Sequence, residues 1–268
     1  MIKDQGKNKR QRAAQKLKFF KSKNKYDKII ELKKNKKHRK VVTFHKGHLA
    51  YGLISVAVIT ILYLYVDRDA SMLFHDFRHS DYFNVFKWMQ HLSSILSYSI
   101  PLIYIYLIVM LFFKRFYYFE EFLFASSTSL LVAVSLTNFL KHIFGRYWTE
   151  TFINNNLSLI KNDAYGFNFF HFGSAYKSFP SGHSTVIFSV ATILWIMYPR
   201  LRWLSVIGCI TVIVGLLGCN FHFPSDIIAG AFVGVIAAYF VLHASQIFAK
   251  NLREHDYDVI KKRMINNG

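Results

Sequence analysis

Six stretches of the chain contain no Asp, Glu, Lys or Arg: residues 49–66, 92–113, 122–140, 184–198, 203–220 and 227–248. A helix needs about 20 apolar residues to cross a hydrocarbon core roughly 30 Å thick. Inside lipid the backbone has no water to bond, so a run of this kind closes its own hydrogen bonds as a helix. The pattern predicts an all-α polytopic membrane protein, a bundle of six transmembrane helices. It also reconciles two totals that conflict in a soluble domain, 53% hydrophobic residues and a net charge of +19.

The charge is segregated. Residues 1–46 hold 18 Lys/Arg against 3 Asp/Glu, so this segment supplies +15 of the total. We read 1–46 as a basic cytoplasmic tail, 47–249 as the six-helix membrane domain and 250–268 as a charged cytoplasmic tail. A basic tract directly before a span finds its partner in anionic lipid on the cytoplasmic leaflet; nucleic acid is not expected. The tract is too long for the basic region of a cleaved signal peptide. Between the first two runs, Phe74, Phe77, Phe83 and Phe86 recur near helical spacing among Asp76, Arg78, His79 and Asp81. This predicts an interfacial amphipathic helix within 67–91. His75, His79 and His91 are read there as interfacial side chains, because no metal-ligand spacing joins them.

With six spans, the N-terminal tail, Lys114-Arg115, Arg200 with Arg202, and the C-terminal tail fall on one side. The positive-inside rule makes that side the cytoplasm. The segments 67–91, 142–180 and 221–226 then share the opposite side, where Lys141, His183, His222 and Asp226 meet at the ends of spans three to six. Cys209 and Cys219 are ten residues apart in one run, roughly 15 Å along a helix, too far for a disulfide.

Pro180-Ser181-Gly182 precedes the fourth run. Proline suits the first turn of a helix, and glycine lets a ligand approach the backbone. The free N–H groups of such a helix start, with the Ser181 hydroxyl, form an anion site. His183 stands within it and can protonate a leaving oxygen. The plainer alternative is a solvent-facing histidine at an ordinary helix start. His222 and Asp226 lie four apart across a turn, so the carboxylate can fix one ring nitrogen and leave the other as nucleophile or base. A purely structural His–Asp pair is the alternative there. Lys141 and Arg146 flank Gly145. Lys141 is basic on the side that should lack positive charge, an exception that a phosphate ligand explains.

These residues resemble the type 2 phosphatidic acid phosphatase superfamily, whose motifs are Lys-x6-Arg-Pro, Pro-Ser-Gly-His and Ser-Arg-x5-His-x3-Asp. The second is intact as Pro180-Ser181-Gly182-His183. The third keeps His222 and Asp226, and the first keeps Lys141. Trp148-Thr149 stands where the first motif has Arg-Pro, and Gly215-Leu216 where the third has Ser-Arg. Arg146, two residues early, is the expected substitute for the first arginine, and Asn220 a candidate for the second.

The resemblance implies cofactor-free, metal-independent phosphoryl transfer on a lipid phosphate. His222 would form a phosphohistidine, Asp226 would orient it, and His183 would serve as acid and then base. Lys141, Arg146, Ser181 and Gly182 would hold the phosphate. The site would face the periplasm of a bacterial inner membrane. Within the loop 142–180, Trp148, Glu150, Asn154 to Asn156 and Tyr165 to His171 are expected to read the headgroup. A phosphotransferase and a non-catalytic lipid-binding protein are the alternatives left open.

Overall fold

The computed structural model describes residues 46–113, 117–153 and 155–265. The basic tail short of Lys46, the Lys114-Arg115 pair and Asn154 lie outside the described residues. The chain divides into two compact units. One is residues 43–245, which carries the bundle and the site. The other pairs 1–42 with 246–268, and its described part is the distal stretch of the last helix.

In order, the helices are α1 (Lys46–Tyr65), α2 (Asp67–Arg78), α3 (Phe83–Tyr98), α4 (Ile100–Phe112), α5 (Tyr118–Phe144), α6 (Leu159–Asn162), α7 (Gly182–Met197), α8 (Arg202–Gly218) and α9 (Pro224–Ile265). Short 3₁₀ turns occur at Ser174–Tyr176 and Pro199–Leu201. Among the described residues there is no strand, only isolated bridges that tie Arg146 to Phe167 and Lys177, and Trp148 to Ser158. The protein is all-α, and its apolar helices are those of a membrane protein. Phe83–Phe112, Tyr118–Phe144, Pro199–Gly218 and Pro224–Ser245 are each long and apolar enough to cross a bilayer; Gly182–Met197 is a shorter apolar helix. Pro101 sits in the first turn of α4, where its missing N–H costs no intrahelical bond. The charged C-terminal segment stays helical to Ile265.

The segment between the first two runs is built differently from the expectation. Ala50–Tyr65 and Asp67–Arg78 form a pair bent by 67°, so the amphipathic helix is only the 12 residues of α2. Residues 83–91 belong to the second span. Of their polar members, Gln90 is buried with its side-chain oxygen unpaired among the described residues, whereas Lys87 lies on the exposed face beside Trp88, where a long side chain can snorkel to the interface. Nor does α2 simply lie on a surface. Met72, Leu73 and Phe77 are exposed, while Asp67 and Ser71 are buried. Asp67, Ser71, His75 and Arg78 bond to the loops after α5 and α8. The apolar face of α2 is the outward one.

Close approach of α7 and α9 sets up the site. A Cβ at Gly230 would lie 2.3 Å from the Ser181 carbonyl oxygen, and one at Gly234 would lie 2.4 Å from that of Thr185. Small residues four apart let two membrane helices touch backbone to backbone. Hydroxyls lock the neighbours: Ser184 donates to the Ile227 carbonyl at 2.7 Å, Thr137 to Thr185 at 3.0 Å, and Ser129 bonds Ser189 at 2.7 Å. Beneath them Ile187, Val212, Leu216 and Ile227 form a buried apolar cluster. The first turn of α9 is thereby fixed beside the first turn of α7.

Candidate active site

α5 ends where Gly145 adopts the left-handed conformation (φ 55°) and returns its N–H to the Lys141 carbonyl at 3.1 Å. A Cβ at this position would fall 1.9 Å from the Asn168 carbonyl oxygen, so both the torsion and the packing call for glycine. The turn leaves Lys141 on the last helical turn and sends Arg146 back into the bundle end.

His222 lies between α8 and α9 and is 4% exposed. Its Nδ1 is 3.4 Å from Oδ2 of Asp226, within ion-pair reach and without a hydrogen bond of its own. Its Nε2 has no hydrogen bond among the described residues. The Trp148 ring stands 5.3 Å from the imidazole, centroid to centroid. Burial holds the imidazole below the ordinary histidine range, and the Asp226 carboxylate opposes this. His222 is therefore neutral at pH 7.

Asp226 is fully buried. One carboxylate oxygen accepts from Arg146 Nη1; the other accepts from Ser178 Oγ at 2.6 Å and the Phe223 N–H at 3.2 Å. These bonds fix the carboxylate against His222. Ser181 caps α7, its Oγ accepting from the Ser184 N–H at 3.4 Å, and its N–H donates to the Asp226 carbonyl at 3.0 Å. A side chain at Gly182 would meet nothing within 4 Å, so the backbone there is open to approach. His183 follows, partly buried, with His222, Lys141 and His91 near enough for their charges to act on it. Lys141 Nζ donates to the Lys177 carbonyl and lies 5.7 Å above the Trp148 ring.

Arg146 departs from the phosphate-facing position expected of it. It is completely buried. Nη1 bonds Ser225 Oγ at 2.7 Å and Asp226; Nη2 bonds Asp67 at 2.7 Å and Tyr165 at 3.2 Å. The Phe223, Tyr63, Phe167 and Tyr165 rings surround the guanidinium at 4.2–5.3 Å. Two buried carboxylates and an aromatic wall engage both η nitrogens, and no exposed donor is left for a substrate. Asn220 is likewise committed: Ser71 donates to its Oδ1 at 3.1 Å and its Nδ2 donates to Glu150 at 2.9 Å.

The loop residues divide in the same way. Glu150 turns inward to His75 at 2.6 Å. Asn156 accepts from the Phe152 and Ile153 N–H groups and so shapes its own loop. Trp148 borders His222 directly, whereas Phe169 and Phe170 are exposed. Sequence reasoning passed over Asp67, Ser178 and Ser225. Asp67 had one usable signal: an ionisable group closing a span on the side of the site. The two serines had none.

The stretch 122–249 matches the family described as PAP2 superfamily. Among curated proteins, the chain is 33% identical over 123 residues to a lipid A 1-phosphatase of Rhizobium johnstonii, covering 43% of each. It is 33% identical over 65 residues to the bacitracin transport permease protein BcrC of Bacillus licheniformis, covering 24% of this chain and 32% of that one. A lipid A 1-phosphatase of Porphyromonas gingivalis is 30% identical over 95 residues, 34% of this chain and 21% of that one. The chain thus spans less than half the length of each of these relatives. No solved structure matches it.

Proposed function

On the match of residues 122–249 to the PAP2 superfamily, we propose that the chain is a member of it and an integral membrane phosphatase that removes phosphate from a lipid-linked monoester or pyrophosphate. One observation carries the reading. His222 is buried beside Asp226 with Nε2 unengaged, at the bundle end to which α7 brings His183 and α5 brings Lys141.

In the first step the Nε2 lone pair of His222 forms the N–P bond as the P–O bond to the lipid breaks. His183, protonated beside the negative charge of the bound phosphate, gives that proton to the departing oxygen. In the second step His183 takes a proton from water, whose oxygen attacks phosphorus, and the N–P bond breaks to release phosphate. Asp226 keeps Nδ1 oriented and faces the positive ring of the intermediate. Lys141, the N–H groups at the start of α7 around Gly182, and the Ser181 hydroxyl proton balance the phosphate charge. No metal or cofactor takes part in this scheme. The names of the lipid A 1-phosphatase relatives favour a phosphate carried on a membrane lipid. The site faces the periplasm of a bacterial inner membrane, both termini are cytoplasmic, and the basic tail lies on anionic lipid.

The test is phosphate release by the full chain in detergent, with EDTA present, from a panel of lipid phosphates. The expected result is release by the wild type and at least a thousandfold loss in His222→Ala. The His183→Ala variant should accumulate ³²P on the protein from a substrate with a good leaving group. Phosphate recovered on an added alcohol rather than in water would make the protein a transferase. Full activity in His222→Ala would sink the reading.

A further inference from the structure

Asp67 is the first residue of α2, remote in sequence from every motif of the site, and it is fully buried. Its Oδ2 accepts from Arg146 Nη2 at 2.7 Å, from Ser225 Oγ and from the Tyr165 hydroxyl at 3.4 Å; its Oδ1 accepts from the Ser225 N–H at 2.9 Å. Arg146 passes the connection on to Asp226, and Asp226 faces His222. Four ionisable side chains therefore form one buried line, Asp67–Arg146–Asp226–His222, each no more than 4% exposed.

The charges on this line do not cancel. Two carboxylates and one guanidinium leave one negative charge in excess while His222 is neutral. With only Arg146 and Asp226 the pair would be self-neutralising, and Arg146 would draw on Asp226 at full strength. Asp67 takes up half of the guanidinium and leaves the Asp226 carboxylate as the uncompensated charge beside the imidazole. In a buried site such a charge is screened little. When Nε2 bonds phosphorus and Nδ1 keeps its proton, the ring becomes positive and the line becomes neutral.

We propose that Asp67 is a positioning residue that divides the Arg146 guanidinium between two carboxylates and so sets Asp226 to stabilise a positively charged His222. The inference rests on the proposed phosphatase only in identifying the phosphorylated ring as the positive state of His222. It assigns Arg146 to this line rather than to the phosphate.

The test is the protonation of His222 itself, followed by NMR of ¹⁵N-histidine-labelled full-length protein in micelles, without substrate. The groups facing His222 are Asp226 from α9, Lys141 from α5, Arg146 from the loop after α5 and His183 from α7. Lys141 and Arg146 oppose its protonation, and Asp226 favours it. Asp67→Asn removes the excess charge, so the His222 titration should move down by about 0.5–1 pH unit. Arg146→Gln removes the opposing charge, so the titration should move up by a similar amount.

Opposite shifts are the signature of a shared guanidinium; a merely structural role would lower the melting temperature of both variants without moving His222 in opposite directions. Each variant also decides the matter alone if the other does not fold. An unmoved or raised titration in Asp67→Asn, or an unmoved or lowered one in Arg146→Gln, overturns the inference. Absence of phosphate release from any lipid would strike the proposed function and leave the charge coupling standing.

Discussion

In the proposed mechanism His222 attacks phosphorus only while its Nε2 is unprotonated, and its burial favours that state. A histidine has an ordinary value near 6.5; burial places His222 below it. The acid limb of kcat/KM should accordingly lie below pH 6.5, with activity lost as pH falls through the lowered value. The sign for stability is the same. The unfolded chain takes up this proton before the folded one does, so the contribution is complete above about 6.5 and drains away as pH falls toward the lowered value. Melting temperatures of the wild type and His222→Gln between pH 5 and 8 check this: the variant should lose part of the acid slope. At this scale the sequence was informative where chemistry is written in short motifs. The His222–Asp226 spacing and the Pro180–His183 stretch both fall at the site. It was silent on Ser178 and on the partner of Asp67, because no local pattern links a carboxylate to an arginine 79 positions away. Arg146 was legible as an arginine near the candidate site but not in its partners, which come from α2, α9 and Tyr165 of its own loop.

Among the elements, α2 shows what amphipathicity leaves undetermined. Phenylalanine spacing identifies a helix with one apolar and one polar face, but in a membrane protein the apolar face turns to lipid and the polar one turns inward. The stripe Asp67, Ser71, His75, Arg78 is the inward side of the contact, buried at Asp67 and Ser71 and half-buried at His75 and Arg78. The pairing of α7 with α9 was legible only as two helix starts, and its closeness rests on Gly230 and Gly234. Gly230→Leu should force the backbones apart at Ser181, where even a Cβ has only 2.3 Å. A displacement of about 1 Å between reacting groups costs on the order of a hundredfold in rate. The variant should therefore keep its helix content by circular dichroism and lose about that much phosphate release. Unchanged turnover would show that the contact does not set the site.

At the level of the whole molecule, six apolar runs gave the architecture because lipid leaves a chain few options. Their limits were less legible, since helices do not stop where charges begin: α3 carries the second span back to Phe83, and α9 runs on to Ile265. The proposed topology can be checked by single-cysteine labelling in a background lacking Cys209 and Cys219. A cysteine at Phe172, in the loop between α5 and α7, should react with a membrane-impermeant maleimide from the periplasmic side. One at Arg200 should react only after permeabilisation. The reverse pattern would invert the protein and move its substrate to the other leaflet.

The shortness of α7 bears on how a lipid meets the site. Sixteen residues rise about 24 Å, while the hydrocarbon core measures about 30 Å. In the proposed topology Arg200 and Arg202 lie at the cytoplasmic boundary, which leaves the shortfall of roughly 6 Å at Ser181 and His183. On that topology the proposed anion-binding turn is a well sunk below the plane of the surrounding phosphates. A headgroup must descend into it, or the bilayer must dimple around the protein to deliver one. For the proposed phosphatase, membrane thickness thereby becomes a dimension of the catalyst, and a thin leaflet would serve its substrate at shorter reach than a thick one.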